Sequence, residues 1–170
     1  MGVINNEAHL GIGESIVIFG AGGVGLSMIQ FATMVGGYPI VAVDLHEKKL
    51  ELAKRLGATH TLNAKTANIE PEIRKIVGIS GADVAIENTG VADVIELAYN
   101  VVNAQGRTIL VGVPPLNARH PSFYTLPLHF EKVLKGTEGG ECRPEHDIPR
   151  IEKLFQAGRI KFDGLVGGRY

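Results

Sequence analysis

Between residues 16 and 44 the chain carries a glycine pattern, Gly20-x-Gly22-x-x-Gly25, set between two short apolar runs, Ile16–Phe19 and Ile40–Val43, the second followed by Asp44. A stretch that reads as helix, Val24–Val35, fills the interval. Strand, glycine turn, helix and second strand in this order require two parallel strands with a helix crossing between them. Gly20 then supplies the tight turn, Gly22 a bare backbone that a pyrophosphate can approach, and Gly25 the close packing of helix on strand. The phosphates would face the first free N–H groups of the helix, where the macrodipole places roughly half a positive charge. Asp44, 24 positions after Gly20, is placed to accept hydrogen bonds from both hydroxyls of an adenosine ribose. The combination reads as a dinucleotide site and is far more specific than a glycine loop alone.

Strand and helix signatures alternate along nearly the whole length. Apolar runs at Ile16–Phe19, Ile40–Val43, Asp83–Glu87 and Thr108–Val113 suit a parallel sheet covered on both faces. Ala58–Leu62 reads as a weaker third strand and His129–Thr137 as a last one. Val24–Val35, His46–Leu56, Glu70–Val77 and Ala92–Val101 read as helices, the second strongly two-faced and closed by Gly57. Residues 114–128 hold four of the eight prolines and read as an irregular loop. Ile148–Ala157 reads as a final helix capped by Asp147, with Pro149 in its first turn. The expected fold is therefore α/β: a doubly wound (Rossmann) parallel sheet of about six strands, order 3-2-1-4-5-6, with helices on both faces. Ligands of such sheets lie at the carboxyl ends of the strands beside the switch point. Here those ends are Gly20, Asp44, Glu87–Gly90 and Val111–Val113.

At 170 residues the chain suits a single domain, 1–170, able to bury roughly 70% of its unfolded surface. A net charge of −1 without a basic block points to neither nucleic acid nor an anionic membrane as partner. No apolar run approaches the roughly 18 residues a membrane span needs, and no leader or lipidation pattern is visible, so a cytoplasmic setting is expected. One cysteine, Cys142, excludes an internal disulfide and a Cys-rich zinc site within the chain. The six histidines stand in no HxxxH or CxxC context.

With these residues in view, the chain resembles the coenzyme-binding domain of zinc-dependent medium-chain alcohol dehydrogenases. The matching segments are Val17–Ser27, Val41–Lys49, Ala53–Ala58, Glu87–Gly90 and Leu110–Pro115. Leu134–Thr137, Arg143-Pro-Glu and Asp147-Ile-Pro extend the match over nearly all 170 residues. The resemblance implies that the backbone N–H groups of Gly23 and Val24 hold the pyrophosphate and that Asp44 and Lys49 bind the adenosine ribose. It implies that Leu45 and Thr89 flank the adenine, and that Val111, Val113 and Thr137 approach the nicotinamide half. It further implies NAD (NADH) as cofactor, hydride exchange between an alcohol or aldehyde and NAD in the full enzyme, and a homodimer joined through an edge strand near residues 130–137. Zinc is expected only in the family's catalytic domain. That domain is expected to be absent at both ends, with the break at Gly167–Tyr170, leaving a half that binds cofactor without catalysing.

Nothing in the chain supplies the Lewis acid that alcohol oxidation needs, and Glu87 has no evident partner acid or base. A 2′-phosphate beside Asp44 would be repelled, so NAD is expected over NADP, with His46, Lys48 and Lys49 softening the preference. Thr89 and Asn88 serve equally well as caps of the helix beginning near Val91. Two other readings remain open: a stand-alone NAD-binding regulatory module, and a methyltransferase using an S-adenosyl cofactor, although the latter favours GxGxG. A short-chain dehydrogenase is excluded, because Tyr38, Tyr99 and Tyr124 are followed four positions later by Ala42, Asn103 and Leu128 rather than lysine.

Overall fold

In a computed structural model that describes residues 1–165, six parallel strands form one sheet in the order β3-β2-β1-β4-β5-β6. The first half comprises β1 (Ile16–Phe19), α1 (Gly23–Val35), β2 (Ile40–Asp44), α2 (Glu47–Arg55) and β3 (His60–Asn63). The second comprises α3 (Ile69–Val77), β4 (Ala82–Glu87), α4 (Ala92–Val101), β5 (Val102–Leu110), β6 (Val133–Gly136) and α5 (Pro144–Gln156). Alternate side chains of a strand leave on opposite faces. Ile16 and Ile18 accordingly join the core beneath α1 and α2, with Ile29 and Leu50, and Ile151 and Leu154 of α5 pack against it. Val17 and Phe19 join the core beneath α3 and α4, with Ile73 and Ala98. Because both faces are covered, β1 is buried at every position, and β2 and β4 nearly so.

The register brings the strand ends to one edge. Phe19 stands level with Val43 on one side and Glu87 on the other, Glu87 with Leu110, and Leu110 with Gly136. The chain leaves β1 for β2 on one flank while β4 occupies the other, so the switch point opens beside Gly20.

Several element boundaries differ from the sequence reading. β5 starts at Val102, directly after α4, with a register shift opposite Ala82–Val84, and ends at Leu110 rather than Val113. Beyond Leu110 the Val111 and Gly112 N–H groups both donate to the Glu87 carbonyl, which draws the chain off the ladder. The strand expected at His129–Thr137 is a 3₁₀ turn over Leu126–Phe130, with Pro127 near its start, followed by β6. The third strand is displaced to His60–Asn63. α5 begins at Pro144, so Asp147 is not its cap; the carboxylate instead accepts from the Arg143 N–H at 2.9 Å, and Pro149 lies inside the helix. The expectation for Gly167–Tyr170 falls outside the described residues.

Gly25 is where α1 meets the turn after β1. A Cβ there would stand 1.9 Å from the Gly20 carbonyl oxygen, which is backbone and has little room to yield. Gly25→Ala should therefore lower stability by about 2 kcal/mol or more, seen in denaturant unfolding as an earlier midpoint at unchanged slope. An unchanged midpoint would mean that the helix can lift from the strand at little cost.

Candidate functional site

The carboxyl edge of β1, β2 and β4 and the first turns of α3 and α4 enclose a cleft of about 540 Å³. Its floor is Phe19, Gly20 and Gly22, and Asp44, Leu45 and Lys49 form one wall. Asn88 and Thr89 close the β4 side, with Ile69, Val94 and Leu97 supplying an apolar lining. Six of the twelve residues singled out from the sequence thus meet in one cavity.

Gly20 has φ +93°, a conformation costly for any side chain, and a Cβ there would also meet Thr89 Cγ2 at 3.1 Å. Around Gly22 and Gly23 the result is opposite: a Cβ on either would meet nothing within 4 Å. The chain keeps open space over the start of α1, whose cap is Gly22 and whose first turn carries no acidic or basic side chain. The N–H groups of Gly23, Val24 and Gly25 are the unsatisfied donors expected at a helix start. Val24 beside them is 54% exposed.

Asp44 ends β2 with its side chain only 8% exposed. Oδ2 accepts from the Ala21 N–H at 2.8 Å and Oδ1 from the His46 N–H at 2.9 Å, so the carboxylate is bolted to the glycine turn and to the start of α2. Lys49 Nζ lies 3.7 Å from Oδ2, on a half-exposed side chain. A carboxylate oxygen has more than one acceptor site, so both oxygens retain acceptor capacity beyond these bonds. This is not the environment of a freely solvated acid at a strand end.

Glu87, fully buried at the end of β4, lies behind the opposite wall and holds it from within. Its carboxylate accepts from the Thr89 N–H (2.6 Å), the Thr89 hydroxyl and the Gly90 N–H (3.1 Å). The Thr89 hydroxyl also accepts from the Val91 N–H at 3.2 Å, so Thr89 both lines the cleft and supports the entry to α4. Asn88 reaches the Gly20 carbonyl at 3.5 Å instead of capping that helix.

The remaining residues singled out lie along the same edge but outside the cleft. Val111 is partly buried and Val113 is 87% exposed, both past the end of β5. Thr137 follows β6; its N–H donates to the Leu110 carbonyl at 3.0 Å and its hydroxyl to Glu7. Glu7 belongs to one π-helical turn, Val3–Glu7, that the sequence reading did not find. The Lys135 ammonium and the Thr137 hydroxyl beside it hold the Glu7 carboxyl below the usual carboxylate range, and the Lys135 ammonium is pushed up in return. Sequence reasoning also missed Ile69, Val94 and Leu97 in the cleft. Their signal was present, since apolar residues in the first two turns of a helix that starts at the carboxyl edge of a sheet must face either core or ligand. Among the described residues, no group of three His, Cys, Asp or Glu side chains is arranged to hold a metal ion, and no helix is long and apolar enough to cross a membrane.

Glu87→Leu leaves the Thr89 and Gly90 N–H groups without their acceptor. It should cost about 1–3 kcal/mol in equilibrium unfolding, and Glu87→Gln, which keeps one carbonyl acceptor, less. Equal stability of the leucine variant and the wild type would show that the turn is held by other means.

Comparison with known proteins fits this geometry. The family model described as "Zinc-binding dehydrogenase" matches residues 23–157. The NDMA-dependent alcohol dehydrogenase of Amycolatopsis methanolica is 35% identical over 93% of this chain and 43% of its own length. The S-(hydroxymethyl)glutathione dehydrogenase of Paracoccus denitrificans is 33% identical over 98% of this chain and 46% of its own. The chain thus spans about half the length of the curated relatives it matches. The crystal structure of benzyl alcohol dehydrogenase from Acinetobacter calcoaceticus superposes with a TM-score of 0.89 at 34% identity, covering 95% of this chain and 44% of that one. That of a Sinorhizobium meliloti protein bound to NADP superposes with a TM-score of 0.83 at 26% identity, covering 95% and 46%.

Proposed function

Because this chain belongs to the zinc-binding dehydrogenase family, we propose that residues 1–170 form one dinucleotide-binding domain whose cofactor is NAD(H). In this reading the whole protein exchanges a hydride between an alcohol or aldehyde and NAD. The observation that carries it is Asp44: a nearly buried carboxylate held by two backbone N–H groups at the mouth of a cleft floored by Gly20 and Gly22.

Each residue then has a task that its geometry suits. The N–H groups of Gly23 and Val24, facing open space at the start of a 13-residue helix, receive the pyrophosphate. Asp44 orients the adenosine ribose without having to reorganise, and Lys49 adds a donor beside it. Leu45 and Thr89 bracket the adenine over the apolar lining. Val111, Val113 and Thr137, along the strand ends of β5 and β6, serve the nicotinamide half. When bound, the nicotinamide supplies the hydride acceptor. Zinc, which polarises the alcohol oxygen in such chemistry, is assigned to a separate domain of the longer family members.

Asp44 also sets the choice of cofactor. A 2′-phosphate about 4 Å away would be opposed by about 4 kcal/mol per charge pair at an effective dielectric near 20. Even a third of that is about tenfold in affinity. Calorimetric titration of the chain should show saturable binding of NADH, with NADPH weaker by about tenfold or more. Asp44→Gly should weaken NADH and narrow the gap. Unchanged selectivity in that variant would remove Asp44 as the selector, and failure of the folded wild type to bind either dinucleotide would remove the reading itself.

β6 is the terminal strand of the sheet, with Val133 and Lys135 exposed on it. Such an edge offers a row of backbone donors and acceptors to a second strand. We assign it to a two-fold pairing that joins two copies. Light scattering should return the mass of two chains at high concentration, and Val133→Pro should shift the population to one chain. A single-chain mass for the wild type throughout the range would remove the assignment.

A further inference from the structure

Glu7 is an acidic residue only 4% exposed. It stands on the N-terminal turn, 130 residues before Thr137, and meets that residue's hydroxyl at 2.5 Å through Oε1. Oε2 is sealed from water with no aligned hydrogen-bond donor, and Lys135 Nζ stands 2.5 Å from it as an ionic partner. Lys135 is also 3.8 Å from Glu141. A carboxylate withdrawn from water is costly unless paired and bonded in this manner.

The contact is one part of a wider clasp. Asn6 Nδ2 donates to the carbonyls of Gly140 (3.0 Å) and Glu141 (3.2 Å). The Gly140 N–H donates to the Thr137 hydroxyl at 3.2 Å, so that oxygen is both donor to Glu7 and acceptor from the turn. Backbones touch as well: a Cβ on Gly2 would fall 2.1 Å from the Gly140 carbonyl oxygen. The whole turn after β6 is thus held from the N-terminal side. Asp44 and Thr137 end strands four places apart on the carboxyl edge, roughly 19 Å at about 4.8 Å per strand, a distance comparable to an extended dinucleotide.

We propose that Glu7 is a positioning residue for the nicotinamide half of the dinucleotide, fixing Thr137 and the turn after β6 so that the far end of the cofactor meets a preset wall. The proposal rests on the reading of Gly20–Gly25 and Asp44 as the dinucleotide site. It separates two halves of one ligand: the adenosine diphosphate part depends on β1, β2 and α1, and the nicotinamide part on an element from outside the sheet.

The test is a pair of titrations, with NADH and with ADP-ribose, which keeps the adenosine, pyrophosphate and second ribose but lacks nicotinamide. In Glu7→Gln the acceptor for Thr137 remains while the charge opposing Lys135 is gone. NADH should bind about fivefold more weakly than to the wild type, with ADP-ribose affinity unchanged. Thr137→Val, which removes the hydroxyl and leaves the Glu7–Lys135 pair, should show the same split and carries the test if Glu7→Gln does not fold. Equal weakening of both ligands, or no change in either, overturns the positioning role. A folded wild type that binds neither ligand overturns the dinucleotide reading beneath it.

Discussion

The carboxyl edge of this sheet is organised by one buried anion. Glu87 ends β4 with no exposure to water, and its carboxylate is satisfied by the Thr89 and Gly90 backbone N–H groups and the Thr89 hydroxyl. Its own carbonyl accepts from Val111 and Gly112, which takes β5 off its ladder and turns the chain toward Pro114. Through the register it stands between Phe19 and Leu110. One residue therefore sets the wall of the cleft, the entry to α4 and the exit of β5. A buried carboxylate with fewer donors would be an electrostatic liability; with these it locks the loops in one arrangement.

On the other side of the switch point the same principle works with a different acid. Asp44 is held by the N–H groups of Ala21 and His46, so the glycine turn and α2 are tied to the end of β2. Gly25 lets α1 approach the Gly20 carbonyl closely enough for this geometry to exist, while Gly22 and Gly23 leave the helix start open. Two anchored carboxylates, Asp44 in its wall and Glu87 behind Thr89, flank a cavity that sets the apolar Ile69, Val94 and Leu97 beside the polar Lys49, Asn88 and Thr89. Apolar surface with a few fixed polar groups is the usual make-up of a small-molecule site.

The N-terminal turn adds a third anchor of unlike origin. Glu7, Asn6 and Gly2 clamp the turn after β6 through side-chain bonds and direct backbone contact. The edge of a parallel sheet is its least constrained part, because β6 has a neighbour on one side only. A clasp from outside the sheet supplies the constraint that a seventh strand would otherwise give.

The fold and half of the candidate site were legible in the sequence because they rest on local rules. Apolar strand runs, a helix-spaced interval and glycines at 20, 22 and 25 leave few alternatives to a doubly wound sheet, and Asp44 falls at the end of the second strand by count alone. The end of β5 was not legible because a non-local bond to Glu87 decides it, and the starts of β6 and α5 because a proline-led 3₁₀ turn and a bond from Arg143 to Asp147 override the apolar pattern. The role of Glu7 lay furthest out of reach. A glutamate in an N-terminal stretch has no local signal, and its burial exists only because the chain brings Lys135 and Thr137 to it from about 130 residues away. Composition and spacing thus determined which sheet forms and which of its edges carries the glycine turn and Asp44. Tertiary structure alone decided which polar groups on that edge are buried and paired, because desolvation and long-range hydrogen bonding are properties of the packed chain.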